Sequence, residues 1–379
     1  MRIPFNKPHL TLKELSYIKD AHSRGMLAGD GFYTKKCHEW IENNLGIKKV
    51  LLTHSGTGAL EMMAILSDIN KGDEVIMPSF TFSSTANAVV LRGGVPVFID
   101  VRSDTLNMDE DLIEKAITRK TKAILPVHYA GVGCEMDKIM QKAKEYNLLV
   151  IEDAAQAFLS KYKNRYLGTI GQMGAISLHE TKNIISGEGG AIFINDKKFI
   201  KRAEIIREKG TNRSEFLRGQ VNKYTWVDLG SSYLPGEIIG AFLYAQLEKS
   251  KEITKKRLRI WKKYYKNLEV LEKKGFLRRP IIPDSCNEYN GHMFYLLLNN
   301  LETRTKLIEF LKDKGILSVF HYIPLHSSLA GKKYTRHVGD MKITNKISDT
   351  LVRLPLFYDI LDEEIEEVIF SIEQFFKKK

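Results

Sequence analysis

Leu148-Leu-Val-Ile-Glu-Asp-Ala-Ala-Gln156 is an apolar run that ends in two carboxylates and a small-residue turn. Apolar side chains at consecutive positions mark a strand covered on both faces, as in a parallel sheet between two layers of helices. The same grammar repeats upstream. Val50-Leu-Leu-Thr53, Glu74-Val-Ile-Met-Pro78, Val95-Pro-Val-Phe-Ile-Asp100 and Ala123-Ile-Leu-Pro-Val127 alternate with helical patterns over Thr57 to Leu66, Thr85 to Leu91, Asp109 to Ile117 and Glu135 to Tyr146. This alternation predicts an α/β fold on a large, mostly parallel sheet. Ligands of such sheets settle beyond the carboxyl ends of the strands, where this chain has Thr53-His-Ser-Gly56, Pro78-Ser-Phe-Thr81, His128-Tyr-Ala-Gly131 and Glu152-Asp-Ala-Ala155.

Outside that region the pattern changes. Leu12, Leu15, Ile18 and Ala21 recur at three-residue spacing, and Tyr33 to Asn44 is helical after the Gly29-Asp-Gly31 turn, which predicts entry helices. After Gly190-Ala-Ile-Phe-Ile-Asn195 the alternation fades, and a helical stretch from about Pro235 to Leu268 bridges to a smaller unit. Strand patterns at Met293-Phe-Tyr-Leu-Leu-Leu298 and Ser318-Val-Phe-His-Tyr322, with helices at Thr303 to Lys314 and from Asp362, predict a small C-terminal α+β domain. The expected division is residues 1–250 for the large domain and 251–379 for the bridging helix and small domain.

Composition narrows the class. With 379 residues, 43% apolar and 27% charged, the chain has the make-up of an ordinary folded protein rather than a disordered or fibrous one. Cys37, Cys134 and Cys286 form no CxxC pair, and their odd number fits a reduced, cytoplasmic protein with no metal site. The first residues carry no apolar signal segment, and nowhere do 18 apolar residues run together, so neither export nor membrane spanning is expected. The net charge of +12 is spread along the chain. Its densest patches, Lys251 to Lys266 and the terminal Lys377, Lys378 and Lys379, read as solvated helix faces, and no nucleic-acid motif accompanies them.

Three segments carry chemistry-bearing residues. Ser55-Gly-Thr-Gly-Ala-Leu60 joins a strand to a helix, and its small residues leave backbone N–H groups free at the positive end of that helix, a place for phosphate or simply a helix start. Asp153 stands where an apolar strand opens into the rim, as a functional carboxylate or as an N-cap. Lys182 lies between a strand end and Ser186-Gly-Glu-Gly-Gly190, where desolvation would leave a free amine for Schiff-base chemistry. Together they match the parts a pyridoxal 5'-phosphate (PLP) site requires: Lys182 for the aldehyde, Asp153 for the pyridine nitrogen, Gly56, Thr57 and Ser177 for the phosphate, and Phe82 to cover the ring.

The strings Pro78-Ser-Phe-Thr-Phe-Ser-Ser-Thr-Ala-Asn87, Val127-His-Tyr-Ala-Gly131, Glu152-Asp-Ala-Ala-Gln156, His179-Glu-Thr-Lys-Asn183, Gly187-Glu-Gly-Gly190 and His321-Tyr-Ile-Pro-Leu-His326 resemble the DegT/StrS sugar-nucleotide aminotransferases. The resemblance implies the fold type I architecture shared with aspartate aminotransferase, PLP as cofactor and a homodimer with shared sites. Carried over by residue, it implies that Lys182 joins the cofactor and moves the proton, that Asp153 holds the pyridinium, that Gln156 lies near the phenolic oxygen and that Phe82 stacks on the ring. Gly56, Thr57 and Ser177 would hold the phosphate. Ser232, in Gly230-Ser-Ser232, takes the place of an asparagine that in many relatives reaches the neighbouring subunit's phosphate. Arg213, Lys223, Tyr224, His321, Tyr322 and His326 are the candidates for the nucleotide sugar.

A narrower likeness lies in Ile3-Pro-Phe-Asn-Lys-Pro8, Gly210-Thr-Asn-Arg213, Lys223-Tyr-Thr-Trp226, Gly230-Ser-Ser-Tyr233, Gly291-His-Met-Phe-Tyr295 and Arg353-Leu-Pro-Leu-Phe-Tyr358. It points to family members that aminate dTDP-4-dehydro-6-deoxyglucose with L-glutamate for a surface polysaccharide such as enterobacterial common antigen. The same scaffold also supports 3-keto or UDP-linked sugars and non-catalytic regulators. Lys182 stands against the sugar dehydratases of this fold, which carry histidine there.

Overall fold

The computed structural model describes residues 2–377, so Lys378 and Lys379 of the terminal basic cluster lie outside the described residues. In chain order the strands are β1 (Lys49–Thr53), β2 (Glu74–Pro78), β3 (Val95–Ile99), β4 (Thr121–Ile124), β5 (Leu149–Asp153), β6 (Lys161–Tyr162), β7 (Arg165–Tyr166), β8 (Met173–Ser177), β9 (Gly190–Ile194), β10 (Leu277–Arg278), β11 (Phe294–Leu298), β12 (Arg336–His337) and β13 (Leu351–Leu354). Eight of them form one sheet in the order β1-β9-β8-β5-β4-β2-β3-β12. All its pairs are parallel except those made by β9, which runs antiparallel to both β1 and β8.

Alternate side chains of these strands feed two apolar layers. Val50 and Val150 pack on one face with Ile41 and Ile139. Leu51 and Ile151 pack on the other with Met63, Val89 and Ile206. Burial on both faces is the reason the strands read as unbroken apolar runs. The helices of the N-terminal half that matter to the site are α1 (Glu14–Ser23), α2 (Phe32–Leu45), α3 (Gly56–Leu66) and α4 (Ser83–Val90). α2 starts at Gly31, which has no side chain to cap it; instead Glu237, buried, accepts the N–H groups of Gly31, Tyr33 and Thr34.

A second, three-stranded antiparallel sheet, β10-β11-β13, has its own core of Trp261, Phe294, Leu311, Val352 and Ile372, joined by Ile3 from the N-terminus. Between this sheet and the large sheet lies a smaller cluster of Phe80, Tyr129, Met293, Tyr295, Ile347 and Leu351. One face of the small sheet therefore looks at the strand ends of the large one.

Four sequence expectations change. The stretch from Pro235 to Leu268 is two helices, Glu237–Glu248 and Ser250–Asn267, separated at Lys249. Asp109 to Ile117 is one 3-10 turn (Glu110–Leu112) and a single helical turn (Ile113–Ala116), because Ile117 is already extended on the way into β4. Ser318 to Tyr322 is not a strand: only Val319 bridges to Arg353, and the chain then leaves the sheet, carrying His321 and Tyr322 toward Tyr129 and Gln156. The helix expected from the stripe forms, but the stripe is covered only at its end: Ala21 is buried with Ile18 packed beside it, whereas Leu15 is 78% exposed and Leu12, just before α1, 91%.

Candidate active site

The carboxyl ends of β1, β2, β5 and β8 deliver the predicted residues to one rim. α3 approaches β8 and β9 so closely that only glycine fits: a Cβ on Gly56 would stand 2.8 Å from Ser177 Cβ, and one on Gly190 would stand 2.4 Å from Ser55 O. Ser55 caps the helix through Gly58 N–H, and the helical ladder starts with Ala59 N–H on Ser55 O. The N–H groups of Gly56 and Thr57 stay outside that ladder, at the positive end of the helix. The Thr57 hydroxyl is 2.8 Å from that of Ser84, in the first turn of α4.

Asp153 ends β5 and is 4% exposed. Its Oδ2 accepts the Thr85 hydroxyl at 2.7 Å and its Oδ1 accepts Ala155 N–H at 3.1 Å. The two readings of this residue are thus both realised: it caps its own turn with one oxygen and is aimed by a helix side chain with the other. Three residues on, Gln156 Oε1 accepts Ala130 N–H at 2.7 Å, and its Nε2 donates to the Tyr322 hydroxyl at 3.0 Å. Phe82, 60% exposed, has its ring 6.3 Å from that of Tyr322.

Lys182 is half-buried, and its environment is the sharpest electrostatic feature of the rim. Burial of the amine pushes its pKa down to about 8, Arg353 pushes the same way, and Asp153 opposes them. At pH 7 on the order of a tenth of the amine is therefore free, far more than for an ordinary lysine. Its neighbour Asn183 is pinned: its Oδ1 meets His292 Nδ1 at 2.9 Å and its Nδ2 donates to Asn290 O at 2.8 Å. These contacts tie the lysine turn to the strand of the small sheet.

His321 and Tyr322 stack at 3.4 Å, and His321 Nδ1 shares a 2.9 Å hydrogen bond with the Tyr129 hydroxyl. Burial, together with the positive charges of Arg353 and Lys182, holds the His321 imidazole neutral. His326 is anchored elsewhere: its backbone N–H donates to Ser79 Oγ at 3.0 Å and its Nδ1 lies 2.8 Å from the same hydroxyl, which fixes the turn Leu325–Ser327 on the end of β2. His128 and His179 are structural. His128 Nδ1 accepts Cys134 N–H, which leaves Nε2–H to donate to buried Glu152 at 2.9 Å, and His179 sits at the surface beside Thr181.

Arg213, Lys223, Tyr224 and Ser232 lie on an arm loosely closed by the bridges Glu208↔Ser232 and Thr211↔Trp226. Arg213 pairs with Glu208 at 3.0 Å, and Tyr224 packs on Phe216. Among the described residues, none of the four bonds to Lys182, Asp153, Gln156 or Tyr322 of the same chain. The arm carries exposed apolar residues, Leu217 at 63% and Trp226 at 77%. Sequence reading missed Thr85, Ser84, Tyr129, His292 and Arg353; all five stood inside quoted strings, but their partners are far away in the chain.

A cavity of about 610 Å³ lies away from this rim, between α2 and the helix Ser250–Asn267, and is lined by Lys251, Lys255, Lys262 and Glu288. The rim itself fits PLP: an amine whose proton is held less tightly than an ordinary lysine's, a buried carboxylate, and a helix start where a Cβ would fill the cradle. Fold and rim define a PLP-dependent transferase of the aspartate aminotransferase type.

Residues 8–373 match the DegT/DnrJ/EryC1/StrS aminotransferase family. The uncharacterized protein MJ1066 of Methanocaldococcus jannaschii is 34% identical over 90% of this chain and 89% of its own length. The GDP-perosamine synthase of Escherichia coli O157:H7 is 31% identical over 100% of this chain and 99% of its own. Among solved structures, the putative sugar aminotransferase Spr1654 from Streptococcus pneumoniae in its PLP form superposes with a TM-score of 0.89 at 26% identity, covering 100% of this chain and 99% of that one. This chain belongs to the DegT/DnrJ/EryC1/StrS aminotransferase family.

Proposed function

We propose that the protein moves the amino group of L-glutamate to C4 of dTDP-4-dehydro-6-deoxyglucose, giving dTDP-4-amino-4,6-dideoxygalactose for a surface polysaccharide. The observation that carries the amine-transfer reading is Lys182, with its amine pKa brought to about 8 beside buried Asp153. The choice of sugar is supported by the six shorter strings from Ile3 to Tyr358 that resemble dTDP-4-amino-4,6-dideoxygalactose transaminase.

When bound, PLP supplies the aldehyde that takes the amino group and a protonated ring that accepts the electron pair left as the α-proton departs. The chain's own residues do the rest. Lys182 would hold the aldehyde and, as a free amine, would carry the donor's α-proton from the substrate carbon to the cofactor. Asp153, its carboxylate aimed by Thr85, keeps the pyridine nitrogen protonated. Gly56 and Thr57 N–H groups and the Ser177 hydroxyl hold the phosphate, Phe82 covers the ring, and Gln156 and Tyr322 order the side near the phenolic oxygen. His321 stands behind Tyr322, and His326 shapes the turn through which the sugar enters.

The arm supports a homodimer. Arg213, Lys223, Tyr224 and Ser232 serve a second copy's site, and exposed Leu217 and Trp226, with Leu12 and Leu15, are the apolar surface the second copy covers. Among the described residues no helix is long and apolar enough to cross a membrane, which is compatible with a cytoplasmic enzyme.

The test is borohydride reduction followed by peptide mapping, then incubation with glutamate and a panel of dTDP-, GDP- and UDP-keto sugars. The label is expected on Lys182, and repeated turnover, with more 2-oxoglutarate released than the protein has sites, is expected only with the dTDP-4-keto sugar. A label on another lysine sinks the site; turnover confined to a GDP- or UDP-linked or 3-keto sugar sinks the substrate alone.

A further inference from the structure

Arg353 stands in the middle of β13, directly across from Tyr295 of β11 in antiparallel register. Residues opposite one another, and residues two apart on a strand, share a face, so Arg353 lies on the face of Tyr295 and Leu351. That face packs on Phe80 and Tyr129 at the strand ends of the large sheet. Arg353 is therefore a cation placed by the small sheet at the edge of the rim.

Its bonding is incomplete. One Nη donates to Phe320 O at 3.2 Å and the guanidinium lies 4.7 Å over the ring of Phe5, but Nε–H is buried without a partner. Among the described residues no carboxylate pairs with it. The acid of the rim, Asp153, spends its oxygens on Thr85 and Ala155. A guanidinium partly withdrawn from water with no counter-ion is costly, and such groups persist where an anionic ligand supplies the missing charge. Its charge reaches Lys182, His321 and His292.

We infer that Arg353 binds the α-carboxylate of the amino donor; the inference rests on the transaminase reading above. The carbon whose proton Lys182 takes bears that carboxylate directly, and the bond of Arg353 to Phe320 O sets the guanidinium beside the His321-Tyr322 turn that meets Gln156 at the rim. The diphosphate of a sugar nucleotide hangs from C1, across the ring from C4, and is held farther out. The cofactor's phosphate has its own donors at the start of α3. A guanidinium edge matches a carboxylate in shape, and the free Nε–H is one prong of that fork.

The test uses PLP-loaded protein and α-methyl-L-glutamate, which has the carboxylates but no α-hydrogen, so it binds without reacting; its dissociation constant is read from the cofactor's absorbance. Arg353→Gln is expected to weaken binding about 10- to 100-fold, the size of one charged hydrogen-bonded contact, and Arg353→Lys less, because the charge stays. The reverse half-reaction, amine-loaded protein with keto sugar, is expected to keep its KM. Unchanged affinity for α-methyl-L-glutamate in Arg353→Gln overturns the assignment, and so does a rise confined to the keto-sugar KM, which would give the guanidinium to the nucleotide. Should Arg353→Gln fail to fold, Arg353→Lys decides: it too must weaken the probe. If wild-type protein takes no borohydride label at Lys182, the transaminase reading itself falls. A labelled wild type with an unaffected Arg353→Gln removes this inference alone.

Discussion

The Thr85 hydroxyl donates to Asp153 Oδ2 at 2.7 Å, tying the first turn of α4 to the end of β5. The same hydroxyl meets that of Thr81 at 2.9 Å, so the bond to the carboxylate belongs to a short chain that starts in the β2–α4 turn. Two neighbouring strand ends of the sheet thus fix one carboxylate.

Asp153→Asn is expected to retain the fold and lose turnover by orders of magnitude, because an amide cannot hold a pyridinium; each pKa unit of that preference is worth about 1.4 kcal/mol. Thr85→Val should lose less, about 10-fold, as expected when one hydrogen bond to a charged group is removed. Single-turnover bleaching by glutamate, with urea unfolding as the control, measures both. Near-full turnover in Asp153→Asn would remove the role given to it.

Capture of PLP by the cofactor-free protein should depend on pH through Lys182. The ammonium must lose its proton before it attacks, so the rate is expected to climb as pH rises through about 8 and then level off, well below the ordinary lysine range. Asp153 favours the ammonium, so Asp153→Asn moves that midpoint down; Arg353 disfavours it, so Arg353→Gln moves it up. Stopped-flow absorbance across pH reads the midpoint, and a rise centred near 10.5 would contradict the environment described.

Glu152→Gln is a stability prediction beside the site. The carboxylate accepts Ile170 and Gly171 N–H at 2.6 Å on one oxygen, and Gly168 N–H and His128 Nε2–H at 2.9 Å on the other. All four partners are donors, so an amide NH₂ on either side faces two of them with nothing to accept it. The expected cost is about 3–5 kcal/mol, read as a lower urea midpoint. A loss below about 1 kcal/mol would mean that the network rearranges freely.

Gly56→Ala places a methyl group 2.8 Å from Ser177 Cβ, so α3 or β8 must shift. Overpacking of this kind costs about 1–3 kcal/mol, and here part of it should appear as a 10-fold or greater loss in PLP affinity, measured by equilibrium dialysis. Unchanged affinity would place the phosphate elsewhere.

Trp226→Glu is expected to yield monomers by sedimentation, with turnover lost, since the arm serves a second copy's site in the proposed dimer. A variant that stays dimeric and active would detach Trp226 from that interface.

Much of the rim was legible in the sequence because its parts are local. Apolar runs of strand length, each followed by a small or polar turn, give the strand ends of a parallel sheet, and a lysine or aspartate in such a turn is carried to the rim by chain geometry alone. What escaped depended on contacts across the chain. Gln156 meets Tyr322 across 166 positions and Tyr129 meets His321 across 192, and no periodicity reports such pairs. Ser318 to Tyr322 has a strand's composition but leaves the sheet after one bridge, because its rings find partners on the large domain.

The sequence by itself determined the α/β layering, the placement of Lys182 and Asp153 at strand ends and the helix start with free N–H groups, since each follows from side-chain character and spacing within a dozen residues. Only the tertiary structure decided the state of those groups: that Lys182 titrates near 8, that His321 is neutral and that Arg353 stands partly withdrawn from water with an empty Nε–H. Charge and proton affinity are set by what water is excluded and which charges stand nearby, and both are properties of the assembled surfaces rather than of any stretch of chain.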